Sequence, residues 1–324
     1  MGMEPEPLYE EIESEERVGK DDSVSILFVG DVMLDRGVAR HAQSFGYNSL
    51  FEGVENLFSS SDIVVINLEG PLTNNTSIAQ KDSSILRFTF DPTFAEILKD
   101  SGVSAVSLGN NHAFDFGRDG YEQSKRYLTH VGIDFFGTPD NSENLLTKIE
   151  VKDKTICLVG YHDLFTTNPD PVIEEIEAIR DDCWRIVVLP HWGVEYSTKP
   201  NERQKMLARQ FIDVGADMVI GTHPHVVQTL EVYKNKPIFY SLGNFMFDQY
   251  FSFETLHGLA VKVLWEDERM SATLVPISIT NMEAKEAQQI EGNIILSTLV
   301  NNELSDSITT DILKNREFML FNKK

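Results

Sequence analysis

Val24-Ser25-Ile26-Leu27-Phe28-Val29 runs straight into Gly30-Asp31, and the same event recurs along the chain: a short β-rich apolar run ends on polar, chemistry-capable residues. Residues 63–66 lead into Asn67-Leu68-Glu69, and residues 103–108 into Gly109-Asn110-Asn111-His112. Residues 186–189 lead into Pro190-His191-Trp192-Gly193, and residues 218–220 into Gly221-Thr222-His223-Pro224-His225. With further runs at 155–159 and 238–242, and helical stretches between, this alternation predicts an α/β domain. Residues 201–214 are predicted helical, with Met206, Leu207, Phe211 and Val214 on one side and Gly215 just past the end. Phe94, Ile97 and Leu98 place another helix between Pro92 and Gly102. In such domains functional groups collect at the carboxyl ends of strands, where loops project side chains from a rigid sheet.

Outward from these runs, 324 residues with 41% hydrophobic content suffice for one large core or two smaller ones. No window reaches the roughly 18 apolar residues of a membrane-spanning helix, and Met1-Gly2-Met3-Glu4-Pro5 lacks the basic and apolar regions of a signal peptide. Any natural anchor is therefore expected outside this chain. The balance of 28 Lys and Arg against 51 Asp and Glu, a net charge of −23, argues against nucleic acid or an anionic membrane surface as the main partner. Residues 1–22 carry nine acidic and two basic side chains with little apolar content, the composition of a disordered acidic leader. Residues 23–280 are expected to form the domain, including strands at 258–264 and 271–277. Residues 281–324, with Ile294, Ile295, Leu296, Leu299 and Val300, are expected to pack on it as a helical tail. Cys157 and Cys183 are too few for a disulfide framework or a thiolate zinc site, and they are expected to be unpaired.

Each strand-end cluster is a weak signal alone, since Gly-Asp after a strand is usually a turn and a single His is usually structural. The His223-x-His225 pair is stronger, because alternate residues of an extended segment face the same side. Together, five strand ends offering carboxylate, carboxamide and imidazole predict a site for Mn, Zn or Fe, and the lack of thiolates argues against a structural zinc.

These motifs, together with Gly30-Asp31-Val32-Met33-Leu34, His191-Trp192-Gly193-Val194-Glu195-Tyr196 and Tyr240-Ser241-Leu242-Gly243-Asn244-Phe245, resemble the CapA family. Those capsule-synthesis proteins are associated with poly-γ-glutamate and have a calcineurin-like metallophosphoesterase fold. The match runs in order over roughly residues 25–248. The resemblance implies a four-layer α/β/β/α sandwich with a site at the strand ends for one or two divalent ions. By position, Asp31, Glu69, Asn111, His191, His223 and His225 would be metal ligands, and His112 the general acid. Where the phosphoesterases carry a His two residues after the first Asp, this chain has Met33, a thioether poorly suited to Mn or Mg, which weakens one of two metal positions.

Around this set, Asp115 either orients His112 or caps the helix before Gly117. Arg36 and Arg118 are candidates to hold a phosphate or carboxylate. Tyr196 is a candidate to wall the pocket, Trp192 either walls it or packs in the core, and Glu195 is a candidate partner to a ligand His. Residues 241–248, including Asn244 and Asp248, are expected to frame the site. His41, His130, His162 and His257 read as ordinary residues, His162 being set apart by following the run at 155–160.

Two readings follow. One is a metal-dependent hydrolase acting on a phosphoester or on poly-γ-glutamate amide bonds. The other is a component that binds or guides the polymer beside membrane-bound synthase subunits. Either places the protein outside the cytoplasmic membrane or at the cell surface, tethered in its full-length form.

Overall fold

A strand covered on both faces must be apolar at nearly every position, and β1 (Val24–Val32) meets that demand, with eight of nine residues buried. The computed structural model describes residues 22–82, 84–164 and 168–321. Apart from Asp22, the acidic leader expected over 1–22 lies outside the described residues. After β1 come α1 (Arg36–Phe45), α2 (Ser49–Glu52), α3 (Glu55–Ser59), β2 (Ile63–Leu68), α4 (Thr93–Asp100), β3 (Ala105–Ser107), α5 (Gly117–Val131) and β4 (Asp134–Phe136). A second series follows: β5 (Leu146–Val151), β6 (Lys154–His162), α6 (Asp170–Ile179), β7 (Arg185–His191), α7 (Glu202–Val214), β8 (Met218–Ile220), β9 (Leu230–Tyr233) and β10 (Lys236–Phe239). The remainder is β11 (Asn244–Met246), β12 (His257–Trp265), β13 (Arg269–Thr280), β14 (Glu283–Glu286), α8 (Gln289–Leu299), α9 (Asp306–Asn315) and β15 (Glu317–Phe321).

These strands form two sheets. The first runs β14-β13-β12-β1-β2-β3-β4, with β11 on β1 and β15 on β13, and the second runs β5-β6-β7-β8-β10-β9. The two-residue side-chain period of a strand divides each sheet's residues between two cores. Ile26 and Phe28 of β1 share one buried cluster with Ile156, Leu158, Val187 and Leu189 of the second sheet. Leu27 and Val29 face α1 to α5, whereas Val159, Ile186 and Val188 face α6 and α7. The inner faces of the two sheets thus share a core, and helices flank their outer faces. Among the described residues, no helix is long and apolar enough to cross a membrane.

Local chemistry explains the boundaries. The side chain of Asn201 caps α7 by accepting from Gln204 N, while Gln204 reaches back to Asn201 N, a reciprocal capping box. The run expected at 238–242 is broken. β10 ends at Phe239 in the second sheet, and β11 begins at Asn244 in the first. Gly243 turns the chain between them with a φ of 69°. Gly30 packs where a Cβ would lie 1.8 Å from Gly243 O, so that crossing can press against β1 only over a bare backbone.

Two expectations need correction. Cys157 and Cys183, expected to be unpaired, form a disulfide with a Cα–Cα distance of 5.9 Å. Parallel pairing sets Cys157 opposite Ile186, three residues beyond Cys183, and this register brings the two cysteines together. The bond closes a 26-residue span around α6, a constraint worth about 3 kcal/mol on loop-closure entropy. The tail, in turn, is not only helical. Ile295, Leu296, Leu299 and Ile312 of α8 and α9 enter the inter-sheet core, while β14 and β15 both pair with β13. Phe318 and Leu320 are buried between exposed neighbours, an alternation that suits a strand.

Candidate metal centre

Parallel register brings the strand ends together before any side chain is considered. Asp31 stands opposite Asn67 across β1 and β2 and opposite Asn244 across β1 and β11. In the second sheet His162 stands opposite His191, and His191 bridges to Thr222. With the sheets packed face to face, these ends form one cluster. Asp31, Glu69, His191, His223 and His225 are all buried.

The contacts within it are short. Asn67 Nδ2 donates to Asp31 Oδ1 at 2.8 Å and lies 3.3 Å from His191 Nδ1. Asn111 Oδ1 sits 2.8 Å from His191 Nε2, and Thr222 Oγ1 lies 2.9 Å from His191 Nδ1. His225 Nδ1 lies 3.3 Å from Asp31 Oδ2, and its Nε2 is 3.5 Å from Glu69 Oε1. The His223 ring packs 4.8 Å from that of His191. His112 Nε2 is 4.0 Å from Glu69 Oε1, while Nδ1 is 2.8 Å from Asp115 Oδ2. Asp115 Oδ2 also accepts from Phe88 N at 2.7 Å, so this carboxylate is anchored and orients His112.

The remaining sequence candidates divide. Arg36 is buried, ion-paired with Asp248, with its guanidinium 5.0 Å from the Phe88 ring and 5.8 Å from that of Phe247. Those rings pack 4.3 Å from His112 and 4.8 Å from His225, so Arg36 backs the cluster through two aromatic side chains. Arg118 is not brought into this network; it is held by Asp140 and Glu143 and stacks on Phe114. Trp192 belongs to the core, donating to Tyr240 O at 2.9 Å, while Tyr196 is exposed with its ring 6.1 Å from His225. Met33 is buried on the helix side, and its Sδ accepts from Asp35 N at 3.1 Å, turned away from the cluster.

Sequence reasoning passes over several members. Asn67 is two residues before Glu69 on the same strand face, a period-two signal that the sequence offers. His162 follows its strand as the other site residues follow theirs; its ring lies 5.8 Å from His191. Thr222 carries no comparable signal, because its role depends on which imidazole it meets, whereas Asn244 lies in the segment expected to frame the site. Asn244 Oδ1 lies 2.9 Å from His225 Nδ1.

The electrostatics follow from burial. Burial pushes the Glu69 carboxyl well above its usual range, with the Asp31 charge adding to the shift against the pull of His225. Burial and the surrounding imidazoles push His191 well below its ordinary value, and burial together with His225 brings His223 down to about 3. Burial opposes charging of His225, but the Glu69 and Asp31 carboxylates hold it up at about 9. Two crowded carboxylates beside the neutral imidazoles of His191 and His223 form a donor set for a divalent cation, whose binding at His225 would displace the proton that the carboxylates hold there. Among the described residues, Glu69 Oε1 and His223 Nδ1 are buried without a hydrogen-bond partner. Buried polar atoms are rarely left so, and each is an atom that a bound cation would satisfy. The residues present thus fit a metal ion.

Comparison with known proteins bears on what such a site serves. Residues 25–249 match the family model described as bacterial capsule synthesis protein PGA_cap. The PGA biosynthesis protein CapA of Bacillus subtilis (strain 168) is 35% identical over 246 residues, 71% of this chain and 64% of that protein. This chain thus matches a little under two thirds of that relative's length. The capsule biosynthesis protein CapA of Bacillus anthracis is 28% identical over 316 residues, 91% of this chain and 75% of that protein. A crystal structure of a hypothetical protein from Thermus thermophilus has a similar fold, with a TM-score of 0.52 and 18% identity over 78% of this chain and 99% of that one.

Proposed function

Since this chain belongs to the bacterial capsule synthesis family PGA_cap, we propose that it serves poly-γ-glutamate capsule biosynthesis through a divalent-metal hydrolase centre at its strand ends. The observation that carries this reading is the convergence of Asp31, Glu69, His191, His223 and His225, with buried unpartnered atoms on Glu69 and His223. A divalent ion held there supplies Lewis acidity toward water and the scissile phosphoester or amide. The chain's own residues supply the rest. Asn111, Asn67 and Thr222 fix the ring of His191 through the contacts at its two nitrogens. With Nδ1 donating to Asp115, His112 presents Nε2 toward the cluster, where a proton held on it can pass to a leaving group. Arg36, paired with Asp248, backs Phe88 and Phe247, whose rings pack against His112 and His225. Tyr196 walls the open side.

The test uses protein loaded with Mn or Zn and assayed on p-nitrophenyl phosphate and on poly-γ-glutamate. His112→Ala is expected to remove turnover and leave the metal bound, and His223→Ala to lower both together. Full metal occupancy in His223→Ala would sink the assignment. A second reading, a polymer-binding assembly component beside a membrane-bound synthase, is favoured by the names of the relatives, which speak of biosynthesis. Retained polymer binding with no turnover on either substrate selects it. Under both readings the protein acts at the cell surface.

A further inference from the structure

The cluster offers two sets of ligating atoms, each within 4.8 Å of one another: Asp31, Glu69 and His191, and Glu195, His223 and His225. The second set is unexpected. From the sequence Glu195 is only a candidate partner to a ligand His, and the first-strand motif has Met33 where an imidazole would serve a second ion. Met33 gives nothing to the site, since its Sδ accepts from Asp35 N in the helix-side core. The second set comes instead from two loops of the second sheet, clasped by Tyr196 N donating to Pro224 O at 2.8 Å. Within that clasp Tyr196, His223 and His225 all hold positive φ, 63°, 96° and 59°, a conformation that non-glycine residues adopt only where their surroundings enforce it. The effect is to bring ligating atoms of two buried imidazoles and the exposed Glu195 carboxylate within 4.8 Å of one another, with His225 also facing Asp31 and Glu69 at 3.3 and 3.5 Å. His223 is 4% exposed and its Nδ1 has no hydrogen-bond partner.

We infer that Glu195 is itself a metal ligand, forming with His223 and His225 a second cation position beside that of Asp31, Glu69 and His191. Two imidazoles and one carboxylate are a sufficient protein donor set for Zn or Mn that leaves a coordination position open. The glutamate thus takes up the function lost at Met33. The inference rests on the reading that the strand ends hold a divalent ion, and the experiment separates the two.

Metal-stripped full chain is titrated with Mn²⁺ alone, with bound metal counted by elemental analysis and the spin environment read by EPR. The expected result is two ions per chain with the spectrum of a coupled pair, since His225 Nε2 lies only 3.5 Å from Glu69 Oε1 across the two sets. Glu195→Gln is expected to bind one ion with an uncoupled spectrum and to weaken the second by tenfold or more. Its metal-free thermal unfolding should match the parent, because Glu195 is exposed. Two coupled ions of unchanged affinity in Glu195→Gln overturn the inference. One ion in the parent, lost in Asp31→Asn but unaffected in Glu195→Gln, also overturns it and leaves the single-ion reading standing. No bound ion in the parent overturns both.

Discussion

The two halves of the cluster are built in opposite ways. Asp31, Glu69 and His191 issue from strand ends, and their atoms are tied by Asn67, Asn111 and Thr222 into a network that exists before anything binds. Glu195, His223 and His225 sit on clasped loops, hold positive φ at the two histidines, and leave His223 Nδ1 buried without a partner among the described residues. The strand half is held by the sheet; the loop half is held against its own backbone preference. A binding site can thus be rigid where register supplies rigidity and tense where a ligand must supply the last contact.

The contrast between the halves breaks most severely at Asp31. In Asp31→Asn the part of the ion-dependent rise in stability that comes from the ion at Asp31, Glu69 and His191, about 2.7 kcal/mol at a hundredfold excess over its Kd, should vanish. Metal-free stability should change by only about 1 kcal/mol, because the charge that presses on Glu69 is removed. Thermal unfolding with and without Mn²⁺ measures both. A large loss in the metal-free state would show Asp31 to be structural.

An effect of similar size is expected for Cys183→Ser, which touches neither half. Loss of the closed span should lower stability by about 3 kcal/mol, read by denaturant unfolding, with Mn²⁺ affinity unchanged. A fall in affinity would mean that the second sheet's outer helices help to set the site.

Thr222→Val sharpens the contrast. It removes the hydroxyl 2.9 Å from His191 Nδ1 and should weaken metal binding by about 10- to 100-fold, the usual effect of losing a group that orients a ligand, as calorimetry would report. The smallest effect is expected for Tyr196→Gly. Relief of a φ of 63° should offset lost packing to within about 1 kcal/mol, and a loss well beyond that would show that the ring contacts with His225 and Phe251 hold the loop.

Much of this is legible before the fold. The strand at 218–220 ends where the sequence places it, and α7 lies within the predicted 201–214 helix, since short-range periodicity and capping are local properties. The cluster's main members are also legible, each marked by the end of an apolar run. Arg118 is not: a guanidinium three residues after Asp115 looks the same in sequence whether it faces a substrate or, as here, Asp140 and Glu143.

By itself the sequence determined which residues stand at strand ends, because a strand's alternation and its polar stop are written within a few residues. Only the tertiary structure decided that Cys157 meets Cys183, that Arg36 pairs with Asp248, and that Glu195 reaches the histidines of another loop. Those pairings depend on strand register and on the packing of one sheet against the other, and such distances between remote segments leave no periodic trace in the chain.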